Sequence, residues 1–283
     1  MLWRHAAIAL AVLAQCFVGG VASARAQGLI WELPPEGTLV HYEGTITQTD
    51  FRLDAPGAED SGDVTAQWIG HLTIKSLKSE MAEFNGKMQS CRWLEFVVAT
   101  GKSEEGLNAG PVGERIYKVL VPESRVIAAQ VDAENIPVAF LPIVKGYRKL
   151  GNKDATPIES NVLQVYPLIA LVIHHKSLKP QGEANDLEIR LGEDTSAQRK
   201  PVKATKLVGV TQMERASSRS KNESTLWRST DVPFGLAKWE VTQNLWSKED
   251  TDPPDAFKQV SKVQVEMHAV YQQTGAQADP RLP

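Results

Sequence analysis

The residues of this sequence best suited to chemistry are its histidines. The rings of adjacent His174 and His175 would point in different directions on a helix or a strand, whereas zinc sites prefer spacings such as His-x-x-x-His on one helical face. His41, His71 and His268 all fall on the polar side of predicted strands. They could meet across a sheet, but strand order is open at this point. We therefore predict separate histidines and no metal site.

Motifs for nucleophilic catalysis are missing from the sequence. It contains no Gly-x-Ser-x-Gly turn, no Ser-x-x-Lys with its companion motifs, no glycine-rich phosphate loop and no His-Glu-x-x-His. Cys91 lies inside a strand-like segment, which favours a buried structural thiol over a nucleophile. We expect no catalytic residue and no cofactor, although catalytic groups can also converge from distant segments.

An acidic cluster near the C-terminus could bind calcium, which takes several oxygen ligands. It comprises Glu249, Asp250, Asp252 and Asp255. The cluster lacks the spaced ligands of an EF-hand loop, and two consecutive prolines stiffen it. We interpret it as a solvated acidic loop.

The first 26 residues have the pattern of a secretory signal peptide. Arg4 and His5 precede an uncharged apolar stretch at 6–18, and small residues follow. Cleavage after Ala26 fits this pattern best, with cleavage after Ala24 as the alternative. The sequence thus predicts an exported protein, periplasmic or extracellular.

Two membrane-bound alternatives compete with simple export. The apolar stretch is shorter than the roughly 18 residues that a spanning helix needs, and no later segment is long and apolar enough. Cys16 could carry a lipid anchor, but Gln15 stands where that pattern requires a small residue. We expect no transmembrane segment after cleavage, and the lipid anchor is the less favoured interpretation.

The expected mature chain can form one substantial core. Removing 26 of the 283 residues leaves 257 and takes away Arg4 and Arg25, so the net charge falls from −3 to −5 with histidine neutral. An acidic chain of mixed charges is a poor partner for nucleic acid. Cys91 is the only remaining cysteine, so an internal disulfide is excluded. We expect a monomer.

The dominant pattern alternates apolar and polar residues, which is typical of half-buried strands. It is clearest at 64–77 and 263–271. Asn85-Gly86 between two strand-like segments predicts a hairpin with a type I′ turn. Residues 205–213 predict a further strand, with Gly209 as a candidate bulge.

The middle of the chain is less regular. Residues 114–121 fit a strand or a short helix, and the basic segment 145–153 indicates a loop. Pro167 is a natural first residue for a short buried helix at 168–173, for which a strand is the alternative.

These elements predict a mainly β (α+β) protein. We expect a curved antiparallel sheet or half-barrel with one or two short helices packed on it. The single domain would cover residues 27–274, and 275–283 would form a flexible tail.

Three segments carry a resemblance to other proteins. Residues 227–239 place a Val-Pro-Phe-Gly turn between two strand-like segments with a tryptophan at each end. With Trp-Glu-Leu-Pro-Pro-Glu-Gly at 31–37 and Tyr-Lys-Val-Leu-Val-Pro at 117–122, this resembles a group of uncharacterised exported bacterial proteins. The expected architecture also looks like lipoprotein-carrier half-barrels of the LolA and LppX type, a likeness of fold that brings no functional residues.

From these patterns we expect a non-enzymatic binding protein with an apolar groove for a lipid or lipid-like ligand. Trp68, Phe96, Leu171 and Trp239 are the candidate ligand-binding residues, although core packing explains them equally well. One alternative is a scaffold or protein-interaction module of the cell envelope. Another is a hydrolase that acts on an envelope polymer with a histidine as its base.

Overall fold

A computed structural model describes residues 29–51, 63–108, 113–126, 141–159, 163 and 178–283. The predicted signal peptide, the predicted helix at 168–173, His174 and His175 lie outside the described residues. Within the described ranges, no helix combines the length and the apolar character needed to cross a bilayer.

The described chain is built mainly of strands, which confirms the mainly β fold class. Eleven strands form one curved sheet: β1 Thr38–Asp50, β2 Val64–Phe84, β3 Lys87–Gly101, β4 Arg115–Pro122, β5 Lys145–Leu150, β6 Thr156–Pro157, β7 Lys179–Arg190, β8 Arg199–Glu214, β9 Ser218–Arg228, β10 Leu236–Ser247 and β11 Lys258–Gln273. The described helical residues are one turn of α-helix, α1 at Glu123–Val126, and a 3-10 turn at Pro233–Gly235.

The last strand joins the two halves of the sheet. The strand order is β10-β9-β8-β7-β11-β1-β2-β3-β4-β5-β6, and β10 also pairs with β11. Strand β11 therefore has β1 along one edge and β10 along the other, so that β7 to β11 close into a small barrel. All pairings are antiparallel except a single parallel contact between β7 and β11 at Arg190 and Tyr271.

Strands β2 and β3 form the predicted hairpin. Asn85 and Gly86 have φ values of 53° and 74°. Positive φ at both central residues defines the type I′ turn, which asparagine and glycine tolerate best. The register slips once, between Ser76 and Ser79 of β2. The local turn prediction is confirmed.

Two local predictions are wrong. Residues 145–150 form β5, because their backbone pairs with β4 despite the basic and glycine-rich composition that indicated a loop. Gly209 is not a bulge in the pairing of β8 with β9, since it faces Ser224 in an unbroken register. The open alternative at 114–121 is resolved in favour of a strand, β4.

One apolar core fills the inner face of the sheet. It draws side chains from strands in both halves, and the N-terminal residues Leu29 and Ile30 are fully buried in it. Phe234 of the 3-10 turn is fully buried as well, and its carbonyl accepts a 2.8 Å hydrogen bond from the Trp31 N–H. The Val-Pro-Phe-Gly segment thus anchors the start of the described chain to the core.

The C-terminal segment 275–283 packs on the outer face of the sheet. The Asp279 N–H donates a 2.8 Å hydrogen bond to Glu95, whose fully buried carboxylate also pairs with Lys75 at 2.6 Å. Leu282 is only 6% exposed. An apolar side chain and a buried charge thus hold the segment against the sheet, and the flexibility expected from the sequence stays a prediction.

Candidate metal centre

Strand register brings together two of the three histidines that the sequence places on the polar faces of strands. Strand β1 lies between β11 and β2, and Glu43 faces His268 on one side and His71 on the other. His41 lies two residues before Glu43, on the same outward face, opposite Thr73 of β2. The expectation that the three histidines stay apart is therefore wrong for His41 and His71.

The ligand atoms of His41, Glu43 and His71 converge on one point. Nε2 of His41 lies 3.2 Å from Nδ1 of His71 and 3.4 Å from Oε1 of Glu43. One ligand atom from each residue can be chosen so that all three lie within 4.8 Å of one another. This is the one group of three or more potential metal ligands of its kind in the described ranges. We call these three residues the histidine–glutamate cluster.

The ring nitrogens that face away from the cluster have partners of their own. Nδ1 of His41 lies 2.9 Å from the Thr73 hydroxyl, and Nε2 of His71 lies 3.2 Å from a Glu104 carboxylate oxygen. An ionised carboxylate only accepts, so Nε2 of His71 carries the ring proton and Nδ1 presents its lone pair to the cluster. The hydrogen bonds orient both rings.

His41 is the most enclosed member of the cluster. Its side chain is 12% exposed, and its ring stacks on Tyr271 with centroids 4.8 Å apart and planes inclined by 21°. Burial, helped by the neighbouring charges of His71 and Arg190, lowers the pKa of His41 to about 4. The imidazole of His41 is therefore neutral at physiological pH, the form that can bind a metal ion.

Two backbone features of β1 shape the cluster. The register with β11 shifts between His41 and Tyr42, so that Tyr271 comes to lie opposite His41 and can stack on it. Such bulges are frequent beside functional sites, where they re-aim a side chain. Gly44 allows β1 to approach β11 closely, since a Cβ there would lie 1.9 Å from the Glu266 carbonyl oxygen.

The described members of the predicted ligand-binding set lie outside the histidine–glutamate cluster. Phe96 and Trp239 are fully buried, and the Trp239 ring packs edge-on against the Tyr42 ring with their centroids 5.0 Å apart. Trp68 is half-buried against the core, with the Lys102 ammonium 5.0 Å from its ring centroid. Leu171 lies outside the described residues. For Phe96 and Trp239, these positions favour the core-packing interpretation.

Cys91 is buried, and the described acidic cluster is exposed, as the sequence predicted. Cys91 is a fully buried free thiol, and burial raises its pKa, which is the opposite of an activated nucleophile. Glu249 and Asp252 lie in an exposed turn in which the Glu249 N–H donates to the Asp252 carboxylate.

A polar cleft lies along the same outer face, further along β1. Its volume is about 260 Å³, and Thr45, Thr47, Glu240 and Glu266 are among the residues that line it. Thr45 follows Glu43 by two residues and so faces the same side of the sheet. The cleft carries none of the apolar residues expected to bind a ligand.

The sequence contained one local signal for the cluster. His41-x-Glu43 on an alternating strand places both side chains on one face. The third member, His71, becomes a neighbour only through the register of β1 with β2, which the sequence alone did not fix. As for relatives, no protein-family model matches the chain, and no curated protein is significantly similar to it.

Proposed function

We propose that this protein binds a divalent transition-metal ion, zinc above all, through Nε2 of His41, Nδ1 of His71 and a carboxylate oxygen of Glu43. The observation that supports the proposal most strongly is the spacing of these atoms. Zinc bonds of 2.0–2.1 Å in a tetrahedral arrangement separate neighbouring ligand atoms by about 3.4 Å. Two of the three edges of the cluster measure 3.2 and 3.4 Å, and the third is at most 4.8 Å for a suitable choice of ligand atoms.

The chemistry of the ligands supports zinc over the common hard cations. Two imidazoles and one carboxylate suit zinc, copper or nickel, whereas calcium and magnesium take oxygen ligands. Histidine ligands of zinc typically donate their other ring N–H to a carboxylate, carbonyl or water. Glu104 accepts such a bond from His71, and the Thr73 hydroxyl can accept one from His41.

The predicted signal peptide adds a location to this proposal. An exported chain would present the histidine–glutamate cluster to the periplasm or the cell exterior. We therefore propose an exported metal-binding protein, with the metal held on the outer face of its sheet. Binding of an apolar ligand stays a prediction, because Leu171 and its predicted helix lie outside the described residues.

Isothermal titration of the untagged protein with zinc tests the proposal. We expect one zinc ion per chain in the wild type and at least about a hundredfold weaker binding in H71A, which removes one ligand. The matched control is H174A/H175A, which deletes the other histidine pair and should leave the affinity unchanged. Wild-type affinity in H71A, or loss of binding only in H174A/H175A, would overturn the proposal.

A further inference from the structure

His268 extends the row of residues that contains the cluster. On three neighbouring strands, His268 of β11 faces Glu43 of β1, which faces His71 of β2. Their side chains share the outer face, because the residues next to His268 and His71, Met267 and Leu72, are fully buried on the inner one. Directly opposite residues in a sheet have Cβ atoms about 4.5–5.5 Å apart. An imidazole at 268 can therefore reach an ion bound to Glu43.

No described contact holds His268 away from the cluster. The residue is exposed, and its side chain makes no hydrogen bond or ion pair with any other described residue. A rotation about its side-chain bonds therefore breaks no interaction. By contrast, Glu104 is already engaged behind the His71 ring, at Nε2, and so lies on the far side from the metal position.

The lysine beside His268 does not block this movement. Lys238 of β10 lies on the other side of His268 in the register. Its ammonium pairs with Glu240 and Glu266 at 2.8 Å each and lies 5.0 Å from the Trp227 ring centroid. The carboxylates of Glu240 and Glu266 thus neutralise the Lys238 ammonium next to His268.

We infer that His268 supplies the fourth ligand when a metal ion occupies the histidine–glutamate cluster. This inference rests on the proposed function. Three imidazoles and one carboxylate complete a tetrahedral shell in which no position is left for water. Such a closed shell is typical of zinc sites that store metal or stabilise structure, whereas catalytic sites keep one position open.

Cobalt(II) provides a probe for this inference, because its visible absorption reports coordination number. We expect intense bands of four-coordinate cobalt in the wild type. In H268A, one cobalt ion should still bind through His41, Glu43 and His71, with weaker bands as water enters the shell and an affinity lower by about tenfold or more. Since His268 is exposed, H268A should unfold at the wild-type temperature.

The possible results separate the two proposals. If wild-type protein binds no cobalt, or if H71A binds it normally, the proposed function is wrong and the role of His268 falls with it. If H71A loses cobalt while H268A keeps both the wild-type spectrum and the wild-type affinity, the cluster binds metal and the fourth-ligand inference alone is overturned.

Discussion

His41 can adapt its ring proton to a metal ion without losing a hydrogen bond. Its Nδ1 contacts the Thr73 hydroxyl, which can either donate or accept. Without metal, the proton can sit on Nε2 and bond to the lone pair of His71 Nδ1. With metal, the proton moves to Nδ1, the hydroxyl accepts, and Nε2 binds the ion. One ring therefore serves both states.

Glu104 offers a test at the level of a single carboxylate. It accepts the hydrogen bond from Nε2 of His71, which raises the basicity of the ring and fixes its tautomer. We expect E104Q to weaken zinc binding about tenfold, measured by competition with a chromophoric chelator. E105Q is the matched control in the same loop, and equal affinities in the two variants would contradict this role.

The protonation of His41 predicts a pH dependence of stability. Burial and the nearby His71 and Arg190 depress its pKa from 6.5 to about 4, while Glu43 and Tyr271 also face the ring. The unfolded chain then binds a proton more readily than the folded one between these values. The fold should therefore keep its full stability above about pH 6.5. Its free energy of unfolding should then fall by about 3 kcal/mol as the pH decreases from 6.5 through 4.

Urea unfolding with a chelator present measures this effect without metal. The difference in stability between wild type and H41N should change by about 3 kcal/mol between pH 7 and pH 4. Parallel pH profiles for the two proteins would show that His41 does not titrate as described.

At the scale of elements, the close pairing of β1 with β11 depends on Gly44. A Cβ at this position would lie 1.9 Å from a backbone oxygen, so the strands would have to separate. Gly70, directly opposite on β2, has its nearest neighbour atom at 3.4 Å, in the flexible Ile46 side chain. We expect G44A to lower the free energy of unfolding by about 3 kcal/mol and G70A to change it by less than about 1 kcal/mol. Chemical denaturation measures both, and equal stabilities would contradict the close-approach argument.

The alternating pattern predicted the strands well because alternation is a local property. The hairpin at Asn85-Gly86 also follows from two adjacent residues. Strand β5 was not predicted, because its basic and glycine-rich composition indicates a loop, whereas its backbone pairs with β4. The histidine–glutamate cluster was not predicted for a related reason. It depends on which strands are neighbours and on their register, and contacts between distant residues set both.

At the scale of the whole molecule, the first and the last described strands pair at the site. Strand β11, near the C-terminus, pairs with β1, and the Ala276 N–H donates to the Gly37 carbonyl at 2.8 Å. The proposed metal site thus lies where the barrel of β7 to β11 joins the sheet of β1 to β6. The resemblance to exported bacterial proteins and to lipoprotein-carrier half-barrels stays a prediction.

The packed C-terminal segment should contribute to the stability of the whole fold. Removing residues 275–283 exposes the apolar surface beneath Leu282 and takes the Asp279 N–H from the buried Glu95. Burial of one leucine side chain alone is worth about 2 kcal/mol. We expect the melting temperature to fall by roughly 4–8 °C in thermal unfolding. An unchanged melting temperature would support a flexible tail instead.

The most direct test of the metal site is anomalous diffraction at the zinc edge from crystals of the protein grown with zinc. We predict one peak on the outer face of the sheet, about 2.0–2.1 Å from both Nε2 of His41 and Nδ1 of His71, with a Glu43 oxygen at a similar distance. A zinc peak elsewhere, with no density between Nε2 of His41, Nδ1 of His71 and the Glu43 carboxylate, would contradict the proposed site.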